Sequence, residues 1–301
     1  MNIKKRIRYI QNLYAALHTL SGRCSTCNPN RADNSLVKNP QLKKKRNKDE
    51  YWYYLQLNPN QMYPGDLIRT YSEFRWALEQ VLLFMEVDPN DFTVTRADLS
   101  FNSNDPEDYE LFKKLNKLLI CCISDLMNIQ NCYESRDLWT MDSLSIAIKG
   151  DYIEAENYHK ALENPNVQTK NRLELRSKRM RCEIAEEFRV KWAKRLDAAI
   201  DRFEVVQARY NEELVKIWNA DVQKQEKERD FVSYTAFLMQ FRDCIFTRNQ
   251  LRELLALMGI SNPEAAAKRF KDRHKVEFFS RTDLEEVVKA LKHTMNEYFD
   301  A

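Results

Sequence analysis

The stretch "DFTVTRADLSFN", residues 91–102, alternates polar and apolar side chains as a half-buried strand does. Successive side chains of a strand point to opposite faces. Arg96, Asp98 and Ser100 therefore share one face, and Ala97, Leu99 and Phe101 share the other. "RLELRSK", residues 172–178, repeats the pattern, with Arg172, Glu174 and Arg176 opposite Leu173 and Leu175. If both apolar faces pack on helices, Asp98 and Glu174 emerge together on the open face of one sheet. Two carboxylates from separate strands can hold one hard divalent cation through oxygen, and arginines beside them suit a phosphate. The plainer reading is two surface strands joined by cross-strand ion pairs, and alternation alone favours it.

Working outward, "YWYYLQLN" (51–58) is aromatic and reads as a strand ended by Asn58-Pro59. "TYSEFRWALEQVLLFMEV" reads as a helix, with Ser72 as N-cap and Phe74, Leu78, Val81, Leu82 and Met85 as its apolar stripe. A second helix is expected over 106–130, with Pro106 near its start, and a further strand over "LSIAIKG" (144–150). Strands interrupted by helices give an α+β fold, a mostly antiparallel sheet with helices on one face. From about residue 182 the pattern changes to a long charged helix or helical pair, 182–240, acting as a connector. Residues 241–301 have helix–turn–helix character, all-helical or winged-helix-like. Leu251, Leu254, Leu255 and Met258 form one face, Gly259 is placed for a C-cap, and Ser261 or Asn262 with Pro263 opens the next helix. That helix carries Lys268, Arg269, Lys271 and Arg273, a charge row suited to a phosphate-lined groove or to plain solvation.

Residues 1–50 carry a net +9, while the 301-residue chain as a whole carries +3. This segment reads as a basic arm ahead of a body that starts near residue 51, and such an arm suits a polyanion or simple solvation. Within it, Ile7, Ile10, Leu13, Leu17 and Leu20 recur at helical spacing, so 1–20 is expected to be a short helix, followed by a loop. The loop holds Cys24 and Cys27, half of a zinc site for which no second pair lies at a suitable distance, so two free thiols are expected. Seven scattered cysteines point to a reducing cytoplasm rather than a disulfide framework. The longest apolar runs, such as "LLICCI" (118–123), are too short to span a bilayer, and no apolar segment of signal-peptide type follows the basic start.

The chemistry centres on "ENYHKALE" (156–163). A phenol is a poor nucleophile at neutral pH and needs a nearby cation to stabilise its phenolate. Lys160 lies two residues beyond Tyr158 and shares its face if the segment is extended. The same residues have good helix propensity, and a helical Tyr158 would be an ordinary amphipathic residue.

Taken in order, "VTRADLSF", "SLSIAIKGDY", "ENYHKALE" and "NRLELRSK" resemble the replication initiation factor family. Its members are rolling-circle plasmid initiators of Gram-positive bacteria and relaxases of conjugative elements. The likeness covers roughly residues 51–181, with His159 where the family pattern has Asp. It implies that 156–163 is a strand, that Tyr158 is the nicking tyrosine with Tyr152 in reserve, and that Asp98 and Glu174 bind Mg²⁺ or Mn²⁺. Lys160, Glu163 and Arg172 match neighbouring positions of the pattern. It further implies a cytoplasmic DNA endonuclease that forms a 5′-phosphotyrosine link at an origin. Its partners would be single- and double-stranded DNA and the host helicase and polymerase, with a homodimer allowed and no membrane. Catalysis would sit in 51–181, with origin recognition in 241–301. The alternatives are a conjugative relaxase of the same chemistry and a non-enzymatic DNA-binding regulator.

Overall fold

The computed structural model describes residues 13–31, 37–44, 51–58, 68–105, 108–123, 144–147, 153–160, 171–228, 233–276 and 278–301. Tyr152, Glu163, Ile7, Ile10 and the end of the expected second helix lie outside these residues. The strands are β1 (Tyr14–Cys24), β2 (Val37–Lys44), β3 (Tyr51–Leu57), β4 (Thr93–Ser103), β5 (Leu144–Ala147), β6 (Ile153–His159) and β7 (Asn171–Lys178). They form one sheet in the order β2-β3-β1-β4-β7-β6-β5. Every neighbouring pair is antiparallel. The helices are α1 (Tyr71–Phe84), α2 (Asp108–Ile123), α3 (184–201), α4 (Phe203–Glu228), α5 (Tyr234–Gln240), α6 (Arg248–Leu257), α7 (Pro263–His274) and α8 (Arg281–Asp300). The fold is α+β, as the alternation and the helical tail predict.

Alternation sorts the sheet into two faces. Leu99 lies opposite Leu175, and Phe101 opposite Leu173. These residues, with Ala97 and Ala155, join Phe112, Leu115 and Leu119 of α2 in the main core. Beyond Phe241, Ile245 and Phe246, the same core runs on through Leu254 and Phe270 to Leu284, Leu291 and Tyr298. A smaller cluster lies between Val37, Leu55 and Leu57 of the sheet and Val81, Leu82 and Met85 at the end of α1. Helix α1 starts two residues earlier than expected: the Thr70 side chain caps it by accepting from the Glu73 amide, while the Ser72 hydroxyl donates to the Ala301 carbonyl at 2.8 Å.

The N-terminal segment departs from expectation. Residues 14–24 are not helical and do not belong to an arm; β1 lies inside the sheet, between β3 and β4. The reason is a β-bulge. Leu17 pairs with Leu99 and the next matched pair is Thr19 with Asp98, so His18 is an extra residue on β1. The bulge sets Leu17 and Leu20 three residues apart on one apolar face, which mimics the spacing of a helical stripe. Gly22 follows, and a Cβ there would lie only 2.2 Å from the Phe92 ring, so the strand passes that ring only as glycine.

The C-terminal half matches the expected pattern more closely. α3 and α4 form the helical pair, and α3 is π-helical over Glu187–Trp192. Its Trp192 indole N–H donates to Ser177 Oγ at 2.9 Å, which ties the distorted turn to β7. Helix α6 ends at Gly259 with φ +78°. Asn262 caps α7 through the Ala265 amide, with Pro263 at its first position. Among the described residues 241–301 contain no strand, so the all-helical alternative holds and the winged one does not.

These helices do not stand apart from the sheet. In α8, a Ser280–Asp283 capping box opens the helix, and its Tyr298 hydroxyl accepts from the Leu17 amide at 3.1 Å. That amide sits at the bulge, where the register of the ladder shifts, so α8 bonds to β1 at its irregular point. Tyr298, Phe299 and Tyr71 pack edge to face around the junction. Removal of residues 281–301 should therefore abolish cooperative unfolding of the remaining chain rather than release an intact sheet domain. Circular dichroism melts of residues 1–280 beside the full chain check this, and an unchanged transition in the shortened chain would refute it.

Candidate active site

On the face away from the core, antiparallel register lines up polar side chains in rows. Glu154, Arg176, Asp98 and Thr19 lie opposite one another across β6, β7, β4 and β1. The next row is Glu156, Glu174, Ser100 and Ala16, and the next Tyr158, Arg172, Asn102 and Tyr14. Asp98 and Glu174 thus share a face, as alternation predicts, and sit diagonally. They are not open to solvent: each is only 2% exposed. Arg172, at 1%, is equally enclosed. Tyr158, Lys160, Glu154, Glu156, Arg96 and Arg176 are partly accessible around them.

Arg176 is the hub. Its guanidinium donates to Glu174 Oε2 at 2.6 Å, pairs with Glu156, and lies 3.7 Å from Asp98 and 3.9 Å from Glu154. Glu156 and Glu174 are direct cross-strand neighbours, an arrangement of like charges that is destabilising without a cation between them. Arg96 grips Asp98 with two hydrogen bonds, 2.8 Å and 2.6 Å. Lys178 pairs with Glu154. With Arg172 beside Glu174, each of the four carboxylates has a cation partner.

Tyr158 stands at the edge of this network. Residues 153–159 are strand, not helix, so the phenol projects to the polar side with Glu154 and Glu156. Its hydroxyl donates to Glu174 Oε1 at 2.5 Å and accepts from Arg172 Nη1 at 3.4 Å. Arg172 is itself anchored by Asn102, Nε to Oδ1 at 2.8 Å. β6 ends at His159, yet Lys160 still reaches the ring, with Nζ 5.6 Å from its centroid. A phenol oriented by a carboxylate, with cations beside its oxygen to stabilise a phenolate, is an arrangement that suits a nucleophile.

Burial alone would raise the Glu174 carboxyl, but the charges of Arg176 and Arg172 and the Tyr158 hydrogen bond outweigh it and bring it down to about 2. At Asp98 the balance is reversed: burial outweighs Arg96 and Arg176, and the carboxyl is raised. Burial also raises Glu156. Glu174, whose carboxyl is lowered, is the one that touches Tyr158.

His18 is a site residue that the sequence reading misses, because residues 1–20 are read there as a helix; in the strand, alternation from Tyr14 and Ala16 puts it on this face. Its Nδ1 lies 2.9 Å from Thr19 Oγ1. Burial, then the charges of Arg172, Lys160 and Arg176, lower it to about 4 against the pull of Glu174. Glu154 and Glu156 were legible once 153–159 is read as a strand, from their two-residue spacing with Tyr158.

The expected metal donors do not fit a cation as they stand. Both Asp98 oxygens are held by Arg96, and the Glu174 oxygens by Tyr158 and Arg176. Among the described residues no three His, Cys, Asp or Glu are grouped as a metal would require. Cys24 is a free thiol in the smaller core, pushed by burial up to about 12, and Cys27 is also free. In α7, Ala266, Ala267 and Phe270 face the core and leave Lys268, Arg269, Lys271 and Arg273 exposed, as expected of a basic helix face. No helix is long and apolar enough to cross a membrane among the described residues.

No protein-family model matches the chain, and no curated protein matches it either. The resemblance to the replication initiation factor family rests on the short motifs alone.

A histidine held neutral in the folded chain binds fewer protons than its unfolded counterpart between about pH 6.5 and 4, so its contribution to stability falls as the pH drops through that window. Replacing His18 with Asn should remove a loss on the order of 3 kcal/mol between those limits. Urea unfolding of the two proteins from pH 7.5 to 4 measures the difference; parallel pH profiles would show that His18 is not held neutral.

Proposed function

We propose that the protein is a tyrosine DNA endonuclease that starts rolling-circle replication of a plasmid by nicking and covalently holding one strand at the origin. The observation that carries this reading is the Tyr158–Glu174 hydrogen bond of 2.5 Å, with Arg172 donating to the same phenol oxygen. In the proposed reaction Glu174 orients the Tyr158 hydroxyl, and the phenol oxygen attacks a backbone phosphorus as its proton passes to solvent. The P–O3′ bond breaks, the 3′ oxygen takes a proton from solvent, and a 5′-phosphotyrosine remains. Arg172 and Lys160 stabilise the phenolate character of the attacking oxygen, and Arg96 and Arg176 supply cations for the phosphate. The free 3′-OH then primes a polymerase. A conjugative relaxase would use the same chemistry.

No step here is routed through Mg²⁺ or Mn²⁺, because a cation between Asp98 and Glu174 requires Arg176 to leave. Cleavage assays with Mg²⁺, with Mn²⁺ and with EDTA, in the Asp98→Ala and Glu174→Ala backgrounds, decide whether a cation replaces that arginine.

Tyr158→Phe should abolish both nicking of supercoiled origin DNA and the covalent adduct, at least a thousandfold below the parent, while duplex binding stays within a few fold. Mapping the adduct by mass spectrometry checks this; an adduct on Tyr152 with full activity in Tyr158→Phe would move the nucleophile.

The exposed basic face of α7 supports the second half of the reading, binding of duplex DNA. Changing Lys268, Arg269, Lys271 and Arg273 to Gln leaves the apolar packing of α7 in place, so the fold should persist. For every phosphate that one of these side chains neutralises, its replacement should reduce the slope of log affinity against log salt by roughly 1. A slope unchanged in the fourfold variant would leave α7 without a role in binding. A helix–turn–helix regulator without catalysis would show the slope change and no adduct.

A further inference from the structure

The polar face does not stop at the Tyr158 cluster. Ser21 lies opposite Arg96 on β4 and opposite Gln56 on β3, so the same face continues across β1 onto β3. There it carries Trp52, Tyr54 and Gln56, with Arg23 opposite Tyr54 and Lys43 of β2 opposite Trp52. The other side of β3 is committed to the smaller core through Tyr53, Leu55 and Leu57, whereas Trp52 and Tyr54 belong to neither core. Both rings are partly exposed, and Arg23 and Lys43 are exposed.

The cations rest on the rings. Arg23 Cζ is 5.7 Å from the Trp52 ring centroid and Lys43 Nζ is 4.4 Å from that of Tyr54. No carboxylate of the described residues pairs with either cation. Aromatic faces interleaved with unneutralised cations on one exposed sheet surface are what a single strand of nucleic acid requires. The bases stack on the rings and the phosphates meet the charges, with no need for a particular sequence. Tyr54 lies four strands from Tyr158 and about nine residues along the ladder from it, a path of roughly 35 Å at ordinary strand spacing and rise.

We propose that Trp52 and Tyr54 are stacking platforms, and Arg23 and Lys43 phosphate-binding cations, for single-stranded DNA lying across this face toward Tyr158. The choice of DNA rests on the nicking reading above; the stacking chemistry does not. Unlike the α7 face, this surface takes unpaired bases, so it would hold the strand that is opened at the origin rather than the duplex beside it.

The test uses the full chain and a fluorescein-labelled oligothymidylate, read by anisotropy. Trp52→Ala and Tyr54→Ala should each weaken binding by about fivefold to a hundredfold, whereas Trp52→Phe should retain most of the affinity. On an abasic oligonucleotide the alanine effects should vanish. Arg23→Gln with Lys43→Gln should lower the salt slope by about 1.4, the value for two neutralised phosphates of a single strand. Binding by the alanine variants equal to the parent, or losses that persist on the abasic strand, would overturn the platform, as would a parent that does not bind oligothymidylate. The covalent adduct separates this from the enzyme reading. Platform-dependent binding with no adduct at Tyr158 leaves the platform standing without the nicking; an adduct formed with unaltered binding in the alanine variants does the reverse.

Discussion

The guanidinium of Arg176 is the interaction on which the polar half of the sheet depends. Three adjacent strands, β4, β7 and β6, bring Asp98, Glu174, Glu154 and Glu156 within reach of it. Without a central cation the Glu156–Glu174 pair would repel across the ladder, and nearly inaccessible carboxylates would lack compensation. Burial of ionised groups is costly, and breaking such a network by removing one partner typically costs about 3–5 kcal/mol, because the remaining charges stay buried. Well-packed apolar residues could hold the strands together as firmly. A buried ionic lattice in place of them suits the proposed nicking reaction, and Tyr158 at its margin is where that reaction would meet a substrate.

The same lattice fixes register. A slip of one residue between β4 and β7 would turn one of the two strands over, sending Asp98 or Glu174 into the core beside Leu115 and Phe112 and bringing Leu99 or Leu175 to the polar side. The penalty for that exchange is large on both faces. Strand alternation thus specifies the sheet and the site together.

This is why so much of both was legible in the sequence. Two-residue periodicity in "TRADLSF" and "RLELRSK" placed Asp98, Glu174 and their arginines on one face, and apolar spacing with caps placed α1, α6 and α7 to within a residue or two. What stayed hidden has specific causes. The bulge at His18 disguised β1 as a helix, because one inserted residue turns a spacing of two into a spacing of three. Segment 156–163 has helical propensity but is held extended at its start by ladders on both sides, a tertiary effect that propensity does not contain. The burial of the carboxylates depended on which cations fold over them, and alternation says which face a residue is on without saying what closes above it. The helix–turn–helix punctuation was read correctly at Gly259, Asn262 and Pro263, but the docking of α8 on β1 joins positions too far apart for any local pattern to reveal.

That docking has a consequence for how the chain is made. Tyr298 completes the bonding of Leu17 across a sequence separation of 281 residues. On the ribosome, β1 emerges 281 residues ahead of this partner. Until then one side of the central strand lacks its cover, and the nascent sheet presents apolar surface during translation. Pairings of such long separation also slow the closing of the core. The growing polypeptide therefore passes through a long interval in which it is a client for chaperones, and heterologous expression should respond to holdase abundance more than to the strength of any one interaction in the finished molecule.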